Sequence, residues 1–115
     1  MRREAVLRTV FWIALAVSLA MALNPHPPHM PPAFNDKLQH FALFTGLTIL
    51  ALAAYGQARL VPLGLALSGY GALIEILQMI PVLRRSSELI DWVADSVATA
   101  AVLALVALFQ LWRAR

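Results

Sequence analysis

Four long runs of apolar residues, separated by short polar segments, make up most of the chain. The runs cover residues 5–23, 38–55, 60–80 and 89–112. A transmembrane α-helix needs about 20 mainly apolar residues, and each run is near that length. The pattern predicts an all-α membrane protein, a bundle of four transmembrane helices that forms a single domain over residues 1–115.

Composition supports this prediction, because the chain is far more apolar than a soluble domain of its size. Of its 115 residues, 61% are hydrophobic and only 13% are charged. The absence of cysteine excludes disulfides and thiolate chemistry. The net charge of +3 does not indicate a nucleic-acid partner, because the basic residues lie singly or in pairs at the ends of the apolar runs.

The distribution of lysine and arginine predicts the orientation of the bundle. Alternation of four spans puts both termini and the second loop on one side, and the first and third loops on the other. The first side carries Arg2, Arg3, Arg8, Arg59, Arg113 and Arg115, and the second carries Lys37, Arg84 and Arg85. Because basic residues are enriched on the cytoplasmic side of membrane proteins, we expect both termini to be cytoplasmic.

The first run has a second interpretation, as a cleaved secretory signal. Arg2 and Arg3 precede it, and Ala20-Met21-Ala22 has the form of a cleavage site. Its apolar stretch is longer than the usual core of a signal peptide, which favours a membrane span.

A proline-rich connector follows the first run and cannot be helical. His26 and His29 lie one polyproline turn apart in it. Two neutral imidazoles without a third ligand hold a metal weakly, so we interpret the segment as a solvated connector.

Polar residues gather where the first and third loops meet the spans. Five of the six acidic residues lie there, and Glu4 is the exception. The candidate site residues at this end are Asp36, Lys37, His40, Glu75, Gln78, Arg84, Asp91 and Asp95. A charged side chain in hydrocarbon costs about 2.5 to 3.5 kcal/mol, so we expect Glu75 and Asp95 to face other helices. The helical rise puts both at a similar depth to His40, so the three can form one cluster.

The third span also carries small residues at helical spacing. Gly64, Ser68 and Ala72 form a ridge beside Gly71. Such a ridge permits close approach of a neighbouring helix, so the polar stripe of this span is expected to be its packed stripe.

Several polar residues have a structural alternative as helix caps or as partners of a helix dipole. These are Asp36, Gln39, Ser86, Ser87, Glu88 and Asp91. Glu75 and Asp95 lie too deep for such roles and are functional candidates. His40 is open to both interpretations, as a hydrogen-bond partner of a carboxylate or as a reactive group.

The same residues resemble the VanZ-like family of bacterial membrane proteins, named after an accessory protein of glycopeptide resistance. The matching stretches are DKLQHFALF from Asp36, GALIEILQMIP from Gly71, then Arg84, and DWVAD from Asp91. The chain departs from the family at Leu83 and Ala98, where glycine is frequent, and at Asp95, which is frequently asparagine. The resemblance implies a multi-pass protein of the bacterial inner (plasma) membrane. In the name-giving member it implies lowered sensitivity to teicoplanin, a lipid-tailed glycopeptide, but it implies no reaction.

Two functions compete for the cluster. In the first, it binds or modulates an envelope lipid or a lipid-linked molecule, with Lys37, Arg84 and Arg85 contacting phosphate or carboxylate. In the second, the protein is an enzyme acting on an amphiphilic envelope substrate, with His40 as general base or metal ligand beside the carboxylates. No spacing matches a metal-hydrolase motif such as HExxH, which favours the first function. No catalytic residue, metal ligand or cofactor is therefore assigned from the sequence.

Two further classes remain. A continuous ion path is disfavoured, because residues 47–54 and 103–111 contain no ionisable side chain. A structural subunit, whose polar residues fasten helices together or dock a larger partner, stays open. The sequence does not predict the oligomeric state.

Overall fold

Four α-helices make up most of the described part of the chain. The computed structural model describes residues 2–24, 36–56, 58–81 and 89–115. The helices are α1 (Arg2–Ala22), α2 (Asp36–Ala54), α3 (Leu60–Leu77) and α4 (Leu89–Arg113). All four are long and apolar enough to cross a membrane. The prediction of an all-helical chain with four helices of spanning length is confirmed.

Some of the predicted site and connector residues lie outside the described residues. They are His26, His29, Leu83, Arg84, Arg85, Ser86, Ser87 and Glu88, and for Asp36 only the backbone is described. The expectations for their side chains stay predictions.

Prolines lie near both ends of α3. Pro62 lies in the first turn, where its missing amide hydrogen removes no helical hydrogen bond. The helix ends at Leu77, three residues before the predicted end at position 80. The amides of Met79 and Ile80 donate to carbonyls three residues back, in the tighter pattern of a final turn. Pro81 restricts the backbone of the residue before it, so the α-helix does not continue.

Successive helices run antiparallel. Near the start of α1, Nε of Arg8 donates to the carbonyl of Ala54 at the end of α2, at 3.0 Å. At the other end of the bundle, the side-chain amide of Gln78 donates to the carbonyl of Ala22, the last residue of α1, at 2.8 Å. We term this second end, where α1 and α3 finish and α2 and α4 begin, the polar end. The most extensive interface joins α2 and α4, followed by α3 with α4 and α1 with α2.

Several polar side chains are buried inside the bundle, and many large apolar side chains are exposed on its outer surface. The buried polar residues are Ser18, Thr48, Glu75, Gln78, Asp91, Asp95 and Thr99. In contrast, Leu65 is 69% and Leu105 is 68% exposed, and many other large apolar side chains share the outer surface. Such a surface is costly in water, at about 25 cal/mol per Å² of apolar area. Lipid can surround this surface at no such cost, because it is apolar too. The backbone of each helix is also compatible with lipid, because its polar groups are hydrogen-bonded within the helix.

The half of the bundle away from the polar end has an apolar core. Its buried side chains are Phe11, Leu47, Ala51, Ala54 and Leu67. They come from α1, α2 and α3, and they contain no group that carries charge.

Hydroxyl groups connect α4 to its neighbours. The Thr48 and Thr99 oxygens lie 3.1 Å apart between α2 and α4. The Ser68 and Ser96 oxygens lie 2.8 Å apart between α3 and α4. The indole of Trp92 also donates to the carbonyl of Ser68, at 3.0 Å. Hydrogen bonds of this kind stabilise helix pairs in an apolar environment, typically by about 0.6 kcal/mol each.

A tyrosine links α1 to α3. The Tyr70 hydroxyl donates to the carbonyl of Leu15 at 2.8 Å. The Ser18 hydroxyl oxygen lies 2.6 Å from the Tyr70 hydroxyl oxygen. A single side chain on α3 therefore satisfies polar groups on α1.

Glycines on α3 let α4 approach closely. A Cβ at Gly71 would lie 2.8 Å from Oδ2 of Asp95 and 3.3 Å from its Cβ. A Cβ at Gly64 would lie 2.8 Å from Cδ1 of Leu103. The small-residue ridge on α3 thus permits the close approach of a neighbouring helix that the sequence predicts, and the structure shows that this helix is α4.

We expect Gly71→Ala to destabilise the bundle, because its methyl group has no room beside the Asp95 carboxylate. Overpacking of this kind costs about 1–3 kcal/mol. The measurement is the free energy of unfolding in mixed micelles. Gly69→Ala is the matched control, since a Cβ there meets nothing within 4 Å. The control should match the wild type or gain up to about 1 kcal/mol. Equal losses in the two variants would contradict the close approach.

Candidate functional site

Six of the predicted site residues lie on three chain segments that meet at the polar end. Lys37 and His40 are on α2, Glu75 is on α3, Gln78 directly follows α3, and Asp91 and Asp95 are on α4. Separations of three or four residues put the members of each pair on one face. Because α2 and α3 both pack on α4, the three faces meet.

A short polar contact joins His40 to Asp95. Nδ1 of the imidazole lies 2.8 Å from Oδ1 of the carboxylate, and Asp95 is fully buried. An ionised carboxylate only accepts hydrogen bonds, so Nδ1 donates in this pair. The contact orients the ring, and Nε2 then lies 3.9 Å from Oδ2 of Asp91. Each ring nitrogen of His40 therefore faces a carboxylate.

Lys37 forms the outer edge of the cluster. Its Nζ lies 3.6 Å from Oδ1 of Asp91. The Lys37 side chain is 42% exposed and that of Asp91 only 4%. The pair joins a solvent-accessible cation to a buried acid. Asp91 therefore does more than favour the start of α4, because its carboxylate lies between Lys37 and His40.

Glu75 brings α3 into the same cluster. The side chain is buried. One oxygen of Glu75, one nitrogen of His40 and one oxygen of Asp95 all lie within 4.8 Å of one another. Groups at such distances interact strongly in a low dielectric. The predicted convergence of these three residues is therefore observed.

Gln78 has a partner on α1. Its Nε2 donates to the carbonyl of Ala22, which has no helical partner because α1 ends there. Its Oε1 is buried and has no hydrogen-bond partner among the described residues. Gln78 thus closes the polar end against α1 and leaves one acceptor facing the interior.

The described cluster holds more acids than bases. Glu75, Asp91 and Asp95 are three carboxylates, and Lys37 and His40 are the bases beside them. Buried charge is costly unless it is neutralised and hydrogen-bonded. Oδ2 of Asp95 is buried and has no hydrogen-bond partner within the described ranges. The cluster therefore has acceptor capacity that suits a cation or a group with several donors.

The sequence prediction missed two residues that extend the cluster. Thr48 lies two turns after His40, and Thr99 lies one turn after Asp95. Their hydroxyls meet between α2 and α4. Both could have been predicted by continuing the four-residue spacing from His40 along α2 and from Asp95 along α4.

The fold and the site define a class of protein. The described residues are helical with short turns, and four helices of spanning length suggest a multi-pass membrane protein. Comparison with models of known families, with curated proteins and with solved structures finds no match for the chain.

We expect a double-mutant cycle of His40→Ala and Asp95→Ala to show strong coupling. The two side chains are in contact, and each is left with a buried polar group when its partner is removed. Residues in one hydrogen-bond network couple by about 0.5–3 kcal/mol, and this buried pair should lie in the upper half of that range. Chemical unfolding in micelles measures all four proteins of the cycle.

The control for this cycle is an exposed pair in α1. Arg8 Nη2 lies 3.6 Å from Glu4 Oε2, and both side chains are largely exposed. Their coupling should not exceed about 0.5 kcal/mol. Coupling of His40 to Asp95 that is no larger than this would show that their contact does not hold α2 against α4.

Proposed function

We propose that the chain is a VanZ-like multi-pass protein of the bacterial inner (plasma) membrane that binds or modulates an envelope lipid or a lipid-linked molecule. The polar end is the binding end. Both termini are cytoplasmic, and the polar end faces the outside of that membrane. The resemblance in sequence and the excess of arginine toward the opposite end support this proposal.

The observation that carries the proposal is the gradient of exposure across the cluster. Lys37 at the edge is accessible, whereas Asp91 and Asp95 behind it are buried. An accessible ammonium contacts the phosphate or carboxylate of a headgroup. The buried acids hold the ammonium in place and bind donor groups of the same ligand.

Apolar side chains beside the cluster suit the rest of an amphiphile. Ile76 is 62% and Met79 is 68% exposed, and they directly follow Glu75 and Gln78 in the sequence. A ligand with its polar group at the cluster would lay its acyl or prenyl chain along this surface. Teicoplanin has the same general form, so the proposal includes a role in tolerance of lipid-tailed glycopeptides.

The contact between His40 and Asp95 favours a second candidate function, a membrane-embedded enzyme that acts on an amphiphilic envelope substrate. A carboxylate bound to one ring nitrogen orients an imidazole for proton transfer at the other. In this cluster the other nitrogen faces Asp91 at 3.9 Å, so a substrate would have to enter between them. That requirement makes catalysis the second candidate.

We expect Lys37→Gln to weaken the binding of a phosphate-bearing amphiphile. The probe is a long-chain polyprenyl phosphate titrated into purified full-length protein in micelles. Loss of one partly exposed charge contact should lower the affinity about 5- to 10-fold, equivalent to about 1–1.4 kcal/mol. The uncharged polyprenyl alcohol should bind equally weakly to both proteins.

Arg59→Gln is the matched control, because it removes an exposed cation just before α3, near the opposite end. It should leave probe binding unchanged. Equal effects of the two variants would mean that binding is non-specific attraction between charges. Release of inorganic phosphate from the probe by the wild type, but not by His40→Gln, would establish the enzyme instead.

The proposed orientation is testable with single cysteines, because the chain has none of its own. Asn24→Cys lies at the polar end and Ala58→Cys in the second loop. In spheroplasts, an impermeant maleimide should label the first variant at once and the second only after lysis. The reverse pattern would invert the bundle and place the polar end in the cytoplasm.

A further inference from the structure

We infer that His40, Glu75 and Asp95 form a binding site for a divalent transition-metal cation at the polar end. The three residues come from α2, α3 and α4, so the ion would bind all three helices of the cluster. One potential ligand atom from each lies within 4.8 Å of the other two. The bulk of the bundle is already packed around them, since Glu75 and Asp95 are buried.

The distances are close to those of a metal site. Zinc lies about 2.0–2.2 Å from nitrogen and oxygen ligands, so two ligands of one ion are at most about 4.4 Å apart. The upper bound of 4.8 Å on the distances between the three atoms exceeds this limit by only a few tenths of an ångström.

An independent observation comes from the second carboxylate oxygen of Asp95. The residue is fully buried, and Oδ2 has no hydrogen-bond partner among the described residues. It lies against α3 at Gly71, one turn before Glu75, because a Cβ at Gly71 would be 2.8 Å from it. A buried carboxylate oxygen without a partner is costly, and a cation between α3 and α4 would satisfy it.

Charge balance favours a doubly charged ion. The carboxylates of Glu75 and Asp95 neutralise a charge of +2 when His40 is the neutral ligand. Asp91 is then left with Lys37, its partner at 3.6 Å. Among the described residues, the acids of the cluster outnumber its bases, and a doubly charged ion would balance this difference.

The donor atoms indicate the class of metal. One imidazole nitrogen with carboxylate oxygens suits zinc, manganese or ferrous iron, whereas calcium and magnesium favour oxygen ligands alone. When Nδ1 of His40 exchanges its hydrogen bond to Asp95 for a bond to the ion, Nε2 carries the proton and faces Oδ2 of Asp91. Such an outer partner orients a histidine ligand and strengthens its binding.

Three protein ligands leave at least one coordination position open. An anionic headgroup oxygen fits that position, and this last step rests on the function proposed above. The ion would explain how a cluster rich in carboxylates accepts a phosphate.

The test uses purified full-length protein that has been stripped with a chelator and dialysed against zinc or manganese alone. Elemental analysis should find about one ion per chain in the wild type. Glu75→Gln and Asp95→Asn keep the side-chain shape and should lower the affinity at least about 10-fold. In the wild type the ion should also raise the melting temperature, and in both variants this rise should be lost.

Two controls address adventitious binding. Glu4→Gln makes the same change as Glu75→Gln on an exposed residue of α1 and should bind like the wild type. The double variant His26→Gln, His29→Gln removes the other two histidines and should also retain the ion. The metal site is overturned if the wild type holds no stoichiometric ion, if Glu75→Gln binds normally, or if binding is lost with His26 and His29.

Binding of the polyprenyl phosphate probe, measured with and without the ion, separates the metal site from the proposed function. A chain that binds the ion through Glu75 but ignores the probe keeps the metal site and loses the proposed function. A chain that binds the probe equally well after chelation, and takes up no ion, keeps the function and loses the metal site.

Discussion

The hydrogen bond between His40 on α2 and Asp95 on α4 is the contact on which the rest of the polar end depends. Both helices carry apolar outer faces, and in lipid an ionised carboxylate that is turned away from its partner meets hydrocarbon. That alternative costs about 2.5–3.5 kcal/mol or more, so the contact restricts how α2 and α4 rotate about their axes. The same rotation of the two helices also brings Lys37 and Asp91 together. Lys37 lies one turn before His40 and meets Asp91, which lies one turn before Asp95.

The same stripe of α4 serves both packing and chemistry. Asp91, Asp95 and Thr99 recur every four residues, and all three are buried. On the α3 side, Gly71 leaves room for the Asp95 carboxylate, and this close approach brings Glu75 within reach of His40. Truncation of one of these side chains therefore changes both the packing of the helices and the charge of the cluster. Substitutions that keep the shape of a side chain and remove its charge are the ones that separate the two.

Hydropathy alone predicts the number, the approximate bounds and the alternating direction of the helices, because an apolar run of this length is typical of a membrane-spanning α-helix. Alternation also predicts the gathering of charge at one end. The individual side-chain contacts between helices could not be predicted. Spacing assigns His40 and Asp95 to particular faces of their helices, but it does not give the rotation of each helix or which helices pack together. The contact of Lys37 with Asp91 and the dominant interface of α2 with α4 are of this kind. The contact of Tyr70 with α1 could not be predicted for a related reason. Its partner is a backbone carbonyl, and a backbone carbonyl leaves no signal in the pattern of side chains.

The apolar core around Phe11, Leu47 and Leu67 has an electrical consequence. It is a layer of low permittivity whose buried side chains carry no charge, whereas the polar end holds ionisable groups. In an energised membrane most of the voltage would drop across the apolar layer. The cluster would then stay near the potential of the compartment it faces. Cation binding at the proposed site would therefore depend on the ionic composition of that compartment and not on the membrane voltage.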